Sequence, residues 1–223
     1  MSNDLQLGVD LDRLREGLLK HTRSAFRLLP KLKRPRILDI GCGSGVPTLE
    51  LAKLSGGEVT GIDIDQSRLD RLARRIARAG LSKRVKIKNC SMFAMDFPDE
   101  SFDIIWAEGS LAVIGFERGL IEWRRLLKPK GFLVVHAETS KTIDKLMLIP
   151  SLGYRLLNQL SLPEDAHWTD YYEPLESRIQ ELRAKYKNDP ETLEELGKHQ
   201  KEIDLVKRNP KEFSSAFYIL RKL

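Results

Sequence analysis

The chain has 223 residues, with 38 lysines and arginines against 32 aspartates and glutamates, a formal charge of +6. That length suits one domain with room for an insertion, and 41 % apolar with 31 % charged residues excludes wholesale disorder. No apolar run nears the ~20 residues of a bilayer span, Met1-Ser2-Asn3-Asp4 opens no secretory signal, and two cysteines without ligand-spaced neighbours exclude a disulfide framework or a metal site.

A cytoplasmic location with reduced thiols is therefore expected. Leu11, Leu14, Leu18, Ala25 and Leu28 recur at helical spacing and predict an amphipathic helix ending before Pro30. Arg36-Ile37-Leu38-Asp39-Ile40 is a short apolar run that stops at glycines, as a buried strand does. Thr48 to Leu54 follows as a helix, with Pro47 tolerated in its first turn. Glu58 to Ile64 is a second strand. Ser67 to Ala79 is a helix with the stripe Leu69, Leu72, Ala73 and Ile76, stopped by Gly80. Val85 to Lys88 alternates as a strand. Phe102 to Ala107 is a fourth strand, Phe116 to Leu127 a helix, Lys128 to Gly131 a turn and Phe132 to Ala137 a fifth strand. Ile143 to Ile149 reads as a helix. Gly153 to Leu162 fits a strand, but Leu156-Leu157 fits a helix equally well. Leu175 to Lys207 is charged and helical, broken at Asn188-Asp189-Pro190, and Phe213 to Leu220 is a last strand.

Five strand–helix alternations argue an α/β fold, a doubly wound, mostly parallel sheet with right-handed crossovers. Arg68 to Lys88 carries much of the basic excess. No aromatic residues interleave there, so bases have no stacking platform, and a solvated helix face is the expectation.

The loop Asp39-Ile40-Gly41-Cys42-Gly43-Ser44-Gly45 joins the first strand to the first crossover helix. Glycines let the backbone turn sharply and let a ligand approach closely. Val46 stands where a dinucleotide fingerprint would need its third glycine, and no Gly-Lys-Ser/Thr follows. Asp63 ends the second strand, about 20 residues beyond Gly43, where a carboxylate can accept both ribose hydroxyls. The runs Phe97-Pro98-Asp99-Glu100-Ser101-Phe102-Asp103 and Leu126-Leu127-Lys128-Pro129-Lys130-Gly131-Phe132 lead into the fourth and fifth strands.

With these four ordered motifs, residues 36 to 140 resemble the class I S-adenosylmethionine-dependent methyltransferases of the small-molecule type. Trp106-Ala107-Glu108-Gly109-Ser110, Gly115-Phe116-Glu117-Arg118-Gly119 and Trp168-Thr169-Asp170-Tyr171-Tyr172 resemble a subgroup of uncharacterised prokaryotic members. The resemblance implies a Rossmann-like seven-stranded core over 36–162 and 211–223, a helical cap over 1–35 and a helical insertion over 163–210, above the acceptor site. It implies S-adenosyl-L-methionine as cofactor and in-line transfer of its methyl group. Asp39, Gly41, Cys42, Gly43 and Gly45 would lie against the methionine part. Asp63 would hold the ribose, Ile64 would flank the adenine, and Ser91 and Met92 would edge it. Ser91 departs from the family's acid at that position. Glu108 would lie between cofactor and acceptor.

A general base is needed only if the acceptor must lose a proton. Glu108 is the candidate catalytic residue, and Glu138, at the end of the fifth strand, is a substrate candidate. Trp168 and Tyr171 either wall an acceptor pocket or form the insertion's own core. His136 reads as a hydrogen-bonded core histidine, and Cys42 as a small loop residue. The expected acceptor is a small molecule, not nucleic acid. An RNA or protein methyltransferase is the alternative, and a non-catalytic cofactor-binding regulator the second.

Overall fold

The computed structural model describes residues 8–223; Met1-Ser2-Asn3-Asp4, on which the expectation about a signal rests, lies outside the described residues. The chain divides into two compact units, one of residues 8–20 and Leu162–Ser214, the other of His21–Ser161 and Ser215–Leu223.

The larger unit is built on seven strands: β1 (Arg36–Ile40), β2 (Glu58–Asp63), β3 (Val85–Asn89), β4 (Phe102–Glu108), β5 (Leu127–Glu138), β6 (Tyr154–Ser161) and β7 (Ser215–Lys222). Their order is β3-β2-β1-β4-β5-β7-β6. The pairs among β1 to β5 are parallel, and β7 runs antiparallel to both β5 and β6. Leu38, Ile40, Ile62, Ile105, Leu133 and Val135 are fully buried, as strands covered on both faces require. The expected α/β fold, mostly parallel and seven-stranded, is the observed one.

The crossover helices follow their local signals. Helix α3 (Val46–Ser55) starts at Gly45 with Pro47 in its first turn. Helix α4 (Gln66–Arg78) is capped by Asp65, whose side chain accepts from the amides of Ser67 and Arg68. It buries Leu69, Leu72 and Ile76; Ala73, assigned to that stripe, is exposed. Beyond β4 come the short α5 (Leu111–Ile114), α6 (Phe116–Arg124) and, after β5, α7 (Thr142–Ser151).

Several boundaries differ from expectation; the last strand starts at Ser215 and runs to Lys222, with Phe213 in the preceding 3₁₀ turn. Helix α6 stops at Arg124, because Leu126 and Leu127 are wholly buried and Leu127 already pairs with Phe102. The turn at Lys128 to Gly131 is a loop-out inside β5: pairing jumps from Leu127 to Phe132 while β4 advances only from Phe102 to Ile104. Gly153 to Leu162 resolves as strand β6. Its ladder skips Leu157, a bulge that places two leucines in succession and breaks the alternation.

The smaller unit is helical. Helix α1 (Leu11–Arg15) is followed by a 3₁₀ turn at Glu16–Leu18 and by α2 (Leu19–Arg27), whose residues from His21 on belong to the larger unit. The rest is a π-helical turn at Trp168–Tyr172, α8 (Glu173–Lys185) and α9 (Pro190–Arg208), capped by Asp189. Its core is Val9, Tyr172, Leu175, Ile179, Leu182, Leu196, Ile203 and Val206. The single predicted N-terminal helix is broken at Gly17, where an added Cβ would lie 2.3 Å from the Asp170 carbonyl oxygen.

Candidate cofactor site

Strand order reverses between β1 and β4, and open α/β sheets bind ligands at such a point, beyond the carboxyl ends of the strands. The glycine loop leaves β1 there. The amides of Gly41 and Cys42 both donate to the Ile62 carbonyl, at 2.9 Å each, which folds the loop over the end of β2. Gly41 has φ +72°, and a Cβ on it would meet Ser110 Oγ at 2.7 Å. Gly45 has φ +80°, and a Cβ there would lie 2.1 Å from Leu72 Cδ1 of α4. Both positions therefore exclude side chains on two counts.

Asp63 ties this loop to β2. Its Oδ2 accepts from the Gly43 amide at 2.8 Å and its Oδ1 from the Asp65 amide at 2.9 Å. A carboxylate has about four lone-pair sites, so two remain for hydroxyl donors. Ile64, next in sequence, is 72 % exposed, an apolar surface without a protein cover. Asn89 fixes its backbone by donating from Nδ2 to the Ile64 carbonyl at 3.2 Å. Ser91 Oγ accepts from the Phe93 amide at 3.3 Å, and half-buried Met92 packs on the core.

Asp39 and Glu108 sit at the carboxyl ends of the neighbouring strands β1 and β4. Asp39 is buried and accepts from Thr48 Oγ1 of α3 at 2.6 Å. Burial pushes its pKa up to about 7, the Thr48 bond opposes that shift and the Asp63 charge adds to it. Glu108 accepts from Trp106 Nε1 at 2.6 Å and from Thr22 Oγ1 of α2 at 3.3 Å. Its residue keeps some exposed surface, yet its carboxyl is poorly solvated. Burial raises it to about 7, opposed chiefly by the Trp106 bond and assisted by the Asp39 charge. The Cys42 thiol is pushed far above its ordinary range, first by burial and then by Asp39, which suits a packing residue and not a nucleophile.

Glu138 ends β5 with an exposed carboxylate, 3.9 Å from Lys145 Nζ. His136 Nε2 is 2.8 Å from Ser215 Oγ, and its ring packs on Phe217 at 4.7 Å, as a core histidine does. Trp168 and Tyr171 lie in the helical unit and pack on its core. Lys207 Nζ stands 5.0 Å from the Trp168 ring centroid, and Tyr171 meets Tyr172 edge-on at 4.9 Å. Thr22, Thr48, Asn89 and Ser110 carry the site's second layer and were not singled out from sequence. Thr48, one turn into a helix that follows the glycine loop, was the one with a local signal.

The sheet order, the loop geometry and the acid at the end of β2 together define a class I S-adenosylmethionine-dependent methyltransferase fold. Residues 37–131 match the family model described as a methyltransferase domain, which places that domain on β1 to the start of β5. A sterol 24-C-methyltransferase of Gibberella zeae is 36 % identical over 102 residues, 45 % of this chain and 27 % of that protein. A 27-O-demethylrifamycin SV methyltransferase of Amycolatopsis mediterranei is 32 % identical over 123 residues, 55 % of this chain and 45 % of that protein. The chain thus spans less than half the length of these two curated relatives. The structure of a SAM-dependent methyltransferase from Geobacter sulfurreducens in complex with S-adenosylhomocysteine matches with a TM-score of 0.71. The match covers 93 % of this chain and 91 % of that one at 19 % identity, a likeness of fold.

Proposed function

We propose that this protein is a methyltransferase that uses S-adenosyl-L-methionine to methylate a small-molecule acceptor. The observation that carries the reading is Asp63, held by the Gly43 amide beside the bare face of Ile64. When bound, the cofactor supplies an electrophilic methyl group on a sulfonium. Asp63 accepts the two ribose hydroxyls through its free lone pairs, while Ile64 and Met92 exclude water from the adenine. Ser91 Oγ offers its second lone pair at the adenine edge. Gly41, Cys42, Gly43 and Gly45 bring backbone, without side-chain bulk, against the methionine part. Asp39 and Glu108 supply negative charge for its cationic groups.

Glu108 is the group we assign to the boundary between cofactor and acceptor, able to take a proton at a carboxylate oxygen from a protic acceptor. We extend the proposal to Glu138, Trp168 and Tyr171 as acceptor contacts. In support, Glu138 ends a strand at the carboxyl edge, and both rings stay half exposed despite packing on their own core. Sterol and rifamycin-type methyltransferases among the relatives support a small molecule over a nucleic acid, and the exposed Arg74 and Arg78 lie on α4 without aromatic neighbours in sequence. A cytoplasmic location belongs to the same proposal; among the described residues no helix is long and apolar enough to cross a membrane.

Calorimetric titration tests the cofactor reading. S-adenosylmethionine and S-adenosylhomocysteine are expected to bind at micromolar concentration, and NAD and ATP not to bind. Asp63→Asn keeps one acceptor oxygen but loses the charge, and should weaken binding about tenfold or more, since a hydrogen bond to a charged group contributes about 1.5–3 kcal/mol. Unchanged affinity in that variant would remove Asp63 from the ribose.

A further inference from the structure

Two carboxyls at the site lack a counter-charge. Asp39 is only 2 % exposed, and Glu108 stands at the end of the adjacent strand, two residues past the Trp106 that pairs with Asp39. The donors to both are neutral: Thr48 to Asp39, and Trp106 and Thr22 to Glu108. Among the described residues, no ion pair reaches either carboxyl. Arg23 of α2 pairs with Glu50 at 2.6 Å. Ionisable groups near the pair include Asp63 of β2 and the Cys42 thiol, both beside Asp39, His136 of β5, in register with Glu108 and bonded to Ser215, and His21 of α2, next to the Thr22 that donates to Glu108. Asp63 adds negative charge, and Cys42 stays neutral.

We propose that Asp39 and Glu108 act as a proton-exchanging cradle for the cationic methionine end of the cofactor, holding about one proton between them when empty and releasing it when the cation enters. Two poorly solvated carboxyls in each other's field do not both ionise at little cost. The Asp39 charge raises Glu108 further, so ionising the first carboxyl makes the second harder to ionise. A cation placed against them favours the doubly ionised form and expels that proton. Burial holds each group near 7 in the empty site, so the exchange falls in the physiological range. The sign follows directly. The bound state carries fewer protons than the empty one, so affinity rises with pH up to about the empty-site pKa and levels off above it.

The inference rests on the cofactor reading, and one experiment separates the two. The probe is S-adenosylhomocysteine, titrated calorimetrically into the full chain at pH 6.5 in buffers of different ionisation enthalpy. An ordinary α-amino group titrates at about 7.7–8.0 and stays protonated there. The slope of measured heat against buffer ionisation enthalpy counts protons. The expected result is release of about 0.5–1 proton per ligand, and a several-fold rise in affinity from pH 5.5 to 7. Glu108→Gln and Asp39→Asn each keep an acceptor oxygen for their donors; each should lower the release to roughly half, and the double variant should nearly abolish it. Binding without proton release, or equal release in wild type and both variants, would overturn the cradle. Absence of binding by the wild type at every pH would overturn the cofactor reading instead. If one variant fails to fold, the wild-type slope and the other variant still decide.

Discussion

Burial of the Asp39 carboxyl costs stability in a pH-dependent way. Its pKa rises from an ordinary 3.8 to about 7 in the fold, chiefly by burial. Between those values the folded state binds more protons than the unfolded chain, so stability contributed by this group falls as pH climbs from ~4 through ~7. Asp39→Asn removes that penalty while keeping an acceptor for Thr48. The ligand-free variant should be more stable than wild type at pH 8 by about 1–3 kcal/mol. The difference should vanish near pH 4, while cofactor affinity drops. Urea unfolding at the two pH values checks it, and a variant less stable at pH 8 would contradict it.

Glycine positions offer a paired test at the same scale. Gly45 and Gly56 both have positive φ, but only Gly45 has a neighbour, Leu72, where a Cβ would go. Gly45→Ala should cost about 2–4 kcal/mol, combining left-handed strain with overpacking, and Gly56→Ala about 1–2 kcal/mol from the backbone alone. Equal losses in denaturant titrations would show that Leu72 moves aside freely.

At the scale of elements, legibility followed locality. Strands β1 to β4 and helices α3 and α4 lie within a residue or two of their expected ranges, because apolar runs, Asp65, Pro47 and Gly80 act within a turn of themselves. What escaped depends on distant partners. The bulge at Leu157 is set by pairing with β7, and the break at Gly17 by the Asp170 carbonyl. Glu108 was named from its position after β4, but the donor from Thr22, 86 residues away, has no local signal. The basic face of α4 makes a negative prediction. Arg74 and Arg78 are exposed beside a buried stripe of leucines and isoleucine, so the double change to alanine should alter stability by less than about 0.5 kcal/mol per site. Cofactor affinity should not change. A loss of methyl transfer in that variant would point to an extended polyanionic substrate.

The sheet unit carries every residue proposed for the cofactor, and the helical unit carries Trp168 and Tyr171. Cofactor binding and acceptor choice can therefore be probed by separate substitutions. Asp63→Asn is expected to lower transfer at limiting cofactor through weaker cofactor binding, whereas Tyr171→Ala is expected to lower transfer with cofactor affinity unchanged in titration. The most direct measurement is transfer of label from S-adenosylmethionine carrying a tritiated methyl group, into a cell extract fractionated by mass, with and without ribonuclease. The expected outcome is label in a low-mass, ribonuclease-resistant fraction, reduced with Asp63→Asn at limiting cofactor. Label confined to a ribonuclease-sensitive or protein fraction, or no label at all from a chain that binds the cofactor, would contradict a small-molecule methyltransferase.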